Sequence, residues 1–232
     1  GVTFYIEASE EGNRLFKCLQ EKIEELKAGT EDDSDGTVDF SHLEMNWRLV
    51  DDADWKNKWK EYFKPAKLTD RIVIKPTWEE YEASEEELVI EIDPGMAFGT
   101  GTHPTTYLCI QLLEKYIEKE KDSVIDVGCG SGILSIAAVL LGASDVIAVD
   151  IDPVAVDVSK DNIEMNHLSS KIRVMEGDLT KGLDVKADIA VANLMADLII
   201  SLSKDISAHL RGKGIYISNI WNPHSFIAKT TC

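Results

Sequence analysis

From Ser123 onward, short apolar runs alternate with longer stretches in which apolar residues return every three or four positions. The runs are Ser123-Val124-Ile125, Val146-Ile147-Ala148-Val149, Lys171–Met175, Asp188–Ala192 and Gly214–Ser218. They are short, rich in Val and Ile, and bounded by Gly, Asp or Asn, which predicts strands buried on both faces. Between them the spacing predicts helices over Ile133–Leu141, from Asp152-Pro153 to about Asn166, and from about Asp197 to Leu210. A helix from about Thr105 to Lys119 precedes them, with Leu108, Leu112, Leu113, Tyr116 and Ile117 on its apolar face. This alternation predicts an α/β fold, a doubly wound and mostly parallel sheet with helices on both faces. Ligands bind such sheets at the carboxyl ends of the strands.

The first part of the chain has a different rhythm. Val2–Ala8 reads as a strand, and Gly12–Leu26 as a helix with Leu15, Leu19, Ile23 and Leu26 at helical spacing. An acidic loop (Glu31–Asp39) and a strand (His42–Val50) follow. Residues 1–50 are therefore expected to form a small, partial α+β domain, with a linker over 51–70 and the main domain over 71–232. Within the linker, Trp55 and Trp59 lie four residues apart among lysines and Pro65 ends the helix. That aromatic stripe either docks on the main domain or meets a substrate. Arg71–Trp78 and Leu88–Ile92 read as strands leading into the main domain.

At the far end, Ile215-Tyr216-Ile217 reads as a strand with nothing recognisable to pair on its outer side. Trp221–Cys232 contains Pro223 and little alternation. The chain is expected to be incomplete at both ends, with an open sheet edge prone to self-association.

The stretch Asp126-Val127-Gly128-Cys129-Gly130-Ser131-Gly132 carries the chemistry. It sits between a strand and a helix, where glycines permit a tight turn and close approach of a ligand to the backbone. The N–H groups opening the next helix then face that ligand. A dinucleotide turn needs Gly-x-Gly-x-x-Gly, and its last position here is Ile133, which argues against NAD. A second acid, Asp150, ends the next strand about 20 residues past the first glycine, where a carboxylate can accept both hydroxyls of a ribose. Asp178 ends the third strand, where an acid either reaches an adenine amino group or is simply solvated.

A second loop, Asp93-Pro94-Gly95-Met96-Ala97-Phe98-Gly99-Thr100-Gly101-Thr102-His103-Pro104-Thr105-Thr106, leads into the helix at Thr105. Thr and Pro are helix-start signals. The loop is richer in glycine than a capped helix requires, and Thr106 is expected to point into the site. His103 is a candidate base, although a lone loop histidine beside proline is more often structural.

Composition narrows the picture further. The net charge is −18, most of it in the first 95 residues, which disfavours nucleic acid and membranes and attracts basic partners. Cys18, Cys109, Cys129 and Cys232 lack C-x-x-C spacing and read as free thiols in a reducing, cytoplasmic compartment. The five histidines form no metal-ligand pattern, so no metal is expected.

Four segments together resemble the ribosomal protein L11 methyltransferase family. They are Gly95–Thr106, Asp126–Ala138, Asp150-Ile151-Asp152-Pro153-Val154-Ala155-Val156 and Val191-Ala192-Asn193-Leu194-Met195-Ala196. The likeness runs from about Trp47 to Ser218, with departures at Leu194-Met195 and Asn219. It implies a Rossmann-like methyltransferase domain that takes S-adenosylmethionine (SAM) as cofactor. It also implies an N-terminal domain recognising a large-subunit ribosomal protein, whose lysine and N-terminal amines are methylated. By this resemblance Thr106, Gly128, Gly130, Asp150 and Asn193 hold the cofactor, and Asn193 also aims the amine. The alternatives are a small-molecule methyltransferase of the same fold and a cofactor-binding chain without turnover.

Overall fold

Charged and apolar residues alternate with helical period along Glu10–Ala28, which forms helix α1. A computed structural model describes residues 10–28, 64–93, 103–220 and 228–231. The chain divides into two compact units, residues 1–58 and 59–232. The strands expected at 2–8 and 42–50, the aromatic stripe over 54–63 and most of the glycine–threonine loop lie outside the described residues. In α1 the half-buried side chains include Phe16, Leu19 and Ile23. Leu15, expected on that face, is 54% exposed. Neighbours on a helix point about 100° apart, and Phe16 takes the inward position instead.

In the second unit a small sheet comes first, formed by β1 (Ala66–Lys67), β2 (Ile72–Pro76) and β3 (Leu88–Ile92), in that order. β1 pairs antiparallel with β2, and β2 runs parallel to β3. At the foot of β3, Glu87 accepts from the Ser84 N–H at 3.1 Å, Lys67 Nζ at 3.1 Å and Tyr81 OH at 2.9 Å. These donors pull its carboxyl down to about 2. Ile72, Ile90 and Ile92 are buried in the core that the small sheet shares with the helices beyond it.

The rest follows the predicted alternation. The elements are α2 (Pro104–Tyr116), β4 (Ser123–Val127), α3 (Ile133–Leu141), β5 (Asp145–Asp150), α4 (Pro153–Met165), β6 (Ile172–Glu176), β7 (Ala187–Leu194), α5 (Ala196–Leu202), β8 (Leu210–Ile220) and β9 (Ala228–Thr231). They build one sheet of order β6-β5-β4-β7-β8-β9. Its first five strands are parallel. Side chains alternate between two cores. Val124, Val146, Ala148, Ile189 and Val191 face one side, with Ile110, Leu113 and Ile136. Ile125, Ile147, Val149, Ala190 and Tyr216 face the other, with Ile199 and Leu202. Each fully buried Val or Ile contributes about 1.5–3 kcal/mol before chain entropy is charged against it, and burial on both faces fixes the register.

Two expectations at the end of the chain are corrected. The helix read as reaching Leu210 stops at Leu202. There Ser203 Oγ donates to the Ile199 carbonyl at 2.7 Å, a 3₁₀ turn spans Ile206–His209, and Leu210 already opens β8. The edge expected to be open is covered, because β9 pairs antiparallel with Ile215–Ser218. Thr230 and Thr231 suit an extended strand, and Lys229 is a charge suited to a sheet edge.

Candidate active site

β4 delivers the chain into a turn with three glycines in left-handed conformation, Gly128 (φ 76°), Gly130 (φ 53°) and Gly132 (φ 81°). Residues with a Cβ rarely adopt such angles. Space adds a second requirement at Gly128, where a Cβ would lie 2.2 Å from Leu194 Cδ2. The turn is pinned to β5 along its length. Gly128 and Cys129 donate to the Val149 carbonyl at 2.7 and 3.0 Å. Gly130 donates to Asp150 Oδ2 at 2.8 Å, while Asp150 Oδ1 accepts from the Asp152 N–H at 3.0 Å. Asp152 in turn caps α4 by accepting from Val154. Gly132 is the N-cap of α3 and offers no side-chain cap, so the helix opens with its N–H groups beside the turn.

Thr106 and Asn193 come from separate elements and meet. Thr106 is buried in the first turn of α2, and its Oγ1 accepts from Asn193 Nδ2 at 3.2 Å. Asn193 is half-buried near the carboxyl end of β7, and the next residue, Leu194, covers Gly128. The five residues singled out from sequence thus cluster at the carboxyl ends of β4, β5 and β7 and the start of α2. Beside them lies a hollow of about 90 Å³ bordered by Gly128, Asp150, Ile151, Asp178, Leu194 and Leu198. Ile151 is 66% and Leu198 40% exposed at its rim. Asp178 borders it too, its carboxylate paired with Lys181 at 2.5 Å.

His103 serves local structure: its Nδ1 caps α2 by accepting from the Thr105 N–H and lies 2.7 Å from Thr105 Oγ1. Asp126, beneath the turn, is fully buried. Burial raises its carboxyl to about 7, against the Ser135 hydroxyl that donates to Oδ2 at 2.6 Å, while the charge of Asp150 adds to the rise. Its Oδ1 has no partner. Burial also pushes the Cys129 thiol up, which disfavours its thiolate form.

Sequence reading missed Ser135, Ile151, Leu194 and Leu198. Ser135 carried a faint signal, as the one polar residue in an otherwise apolar helix. A larger cavity of about 270 Å³ lies at the amino ends of β4 and β5, away from Asp150, and Arg211 on its wall is held by Asp188 and Ser123.

The left-handed glycine cradle fits a ligand that approaches the backbone, and the Asp150 carboxylate beside it fits a ribose. An asparagine stands within the same cluster. A doubly wound sheet with this site has the form of a SAM-dependent methyltransferase domain. The family model for ribosomal protein L11 methyltransferase matches residues 5–220. A ribosomal protein L11 methyltransferase of Clostridium botulinum is 45% identical over 218 residues, covering 94% of this chain and 67% of that protein. One from Thermoanaerobacter pseudethanolicus is also 45% identical, covering 94% of this chain and 68% of its own length. Among solved structures, a ribosomal protein L11 methylase from Lactobacillus delbrueckii subsp. bulgaricus superposes with a TM-score of 0.64 at 34% identity, over 68% of this chain and 80% of that one. The chain belongs to the ribosomal protein L11 methyltransferase family.

Proposed function

We propose that this protein transfers methyl groups from SAM to lysine and N-terminal amines of ribosomal protein L11, in the cytoplasm. The observation that carries the reading is the glycine turn with the Asp150 carboxylate bonded across it, in a chain of this family. SAM, when bound, supplies a methyl group on a positively charged sulfur and departs as S-adenosylhomocysteine.

The protein's own part is binding and aiming. The Gly128–Gly132 turn offers room for close approach to the backbone, and Asp150 accepts from the ribose hydroxyls. Ile151 and Leu198 supply apolar edges for the adenine. Thr106 holds the amide nitrogen of Asn193, which would leave Asn193 Oδ1 to accept from the substrate amine and orient it. Positioning of this kind is where most of the rate arises when the leaving group is good.

The amine must be neutral to attack. A water-poor pocket around the amine would disfavour its charged form and lower its pKa. We assign no side chain of the site as a general base. The excess of acidic residues suits a basic ribosomal protein, and we assign its recognition to residues 1–50 and the linker over 51–70, with the methyltransferase domain over 71–232. Among the described residues no helix is long and apolar enough to cross a membrane. Calorimetry tests the cofactor half of this reading. SAM and S-adenosylhomocysteine should bind and NAD should not, whereas tight NAD binding without SAM binding would overturn it.

A further inference from the structure

Asn162 in helix α4 and Asn166 at its C-cap lie four residues apart, and they do different things. Asn166 grips β3 and its own helix: its Oδ1 accepts from the Glu91 N–H at 3.0 Å, and its Nδ2 donates to the Glu91 carbonyl at 2.6 Å and to the Asn162 carbonyl at 2.7 Å. Asn162 divides its amide between two segments. Its Oδ1 accepts from the Asp93 N–H at 2.9 Å, and its Nδ2 donates to the Ser131 carbonyl at 2.9 Å. The side chain is only 1% exposed, so water cannot replace either partner.

Ser131 is the residue between Gly130 and Gly132, both left-handed. The turn is therefore held at two successive residues, with Asp150 on the N–H of Gly130 and Asn162 on the carbonyl of Ser131. A carbonyl held from behind fixes the rotation of its peptide, which carries the Gly132 N–H that donates to the Cys129 carbonyl at 2.8 Å and closes the turn. Left-handed glycines have wide rotational freedom, so a turn made of them needs such external ties to hold one shape.

We propose that Asn162 is a positioning residue for the cofactor, fixing the Ser131 peptide so that the turn is shaped before the cofactor arrives. It couples that turn to the end of β3, whereas Asn166 ties β3 to the end of α4 and does not touch the turn. This rests on the glycine turn being the SAM site.

The matched variants Asn162→Asp and Asn166→Asp each lose the amide donor and keep the acceptor. Asn162→Asp should raise the Kd for S-adenosylhomocysteine and the KM for SAM about tenfold, the scale of one buried hydrogen bond. Its kcat and its KM for the protein substrate should stay within about twofold of wild type. Asn166→Asp should lower the melting temperature yet leave the Kd within about twofold. Equal shifts in both variants, or no shift in Asn162→Asp, overturn the proposal. Hydrogen exchange on the wild-type protein does not depend on either variant folding. S-adenosylhomocysteine should slow the Asp93 amide together with that of Gly130 and leave the Glu91 amide unchanged. An Asp93 amide indifferent to the ligand overturns the proposal even where Gly130 responds. A wild-type protein that binds no S-adenosylhomocysteine removes the cofactor reading and this inference with it.

Discussion

Asn193 Nδ2 donates to Thr106 Oγ1 at 3.2 Å, joining the carboxyl end of β7 to the first turn of α2. The bond uses the nitrogen of the amide and leaves its oxygen as the acceptor that we propose meets the substrate. Asn193→Ala should therefore lower kcat about a hundredfold, the order seen when a reacting group is misplaced by an ångström. The Kd for S-adenosylhomocysteine should move far less. Thr106→Val, which only frees Asn193 to rotate, should cost kcat about tenfold. Single-turnover kinetics beside calorimetry separates the two effects, and a loss confined to cofactor affinity would remove Asn193 from the chemistry.

Asp150 answers to a different readout. Asp150→Ala deprives the ribose of its acceptor and should weaken S-adenosylhomocysteine binding by about 1–3 kcal/mol. Asp150→Asn keeps one acceptor oxygen and should lose less. Calorimetric titration of both variants checks the order, and unchanged affinity in Asp150→Ala would contradict the assignment.

Gly128 faces two separate obstacles to substitution. Gly128→Ala incurs about 1–3 kcal/mol for its left-handed backbone and a collision with Leu194. Adding Leu194→Ala makes room for the methyl group without relieving the backbone. Thermal melts should show partial recovery in the double variant, and full recovery would mean that the backbone angle imposes no strain.

Much of the site was legible because its signals are local. Gly128, Gly130 and Gly132 are a run of one residue type that backbone geometry demands, and Asp150 falls where one helix and one strand return the chain. Double-sided burial made β4, β5 and β7 readable as continuous apolar runs. Features that depend on distant partners were not legible. Leu194 reads as an ordinary apolar residue until the fold lays it over Gly128. Asn162 looks like any polar residue of a helix until Ser131 and Asp93 arrive from other elements. β9 was missed because four residues with little alternation become a strand only when the edge of β8 is there to pair with.

Asp126 predicts a pH effect on stability. Its folded pKa is raised to about 7, chiefly by burial, whereas an unfolded aspartate titrates near 4. Between these values the folded protein holds a proton that the unfolded chain has lost, so this group's contribution is full below pH of about 4 and disappears as pH rises through about 7. Glu87 has the opposite sign: its folded pKa lies at about 2, so its contribution is present above its usual range and lost as pH falls. Melts at about pH 5 and about pH 8 should show Asp126→Asn losing less stability on the alkaline side than wild type. Identical slopes would mean that Asp126 is ionised throughout.

Methyl transfer from SAM to amines of ribosomal protein L11 can be followed through the label itself. The protein is incubated with methyl-labelled SAM and purified L11, and the labelled positions are mapped by mass spectrometry. Label should appear on lysine side chains and the N-terminal amine of L11, and should be abolished by Asn193→Ala and by removal of residues 1–58. Wild-type protein that binds SAM yet leaves L11 unlabelled, or that labels it equally well without residues 1–58, would contradict the proposed function.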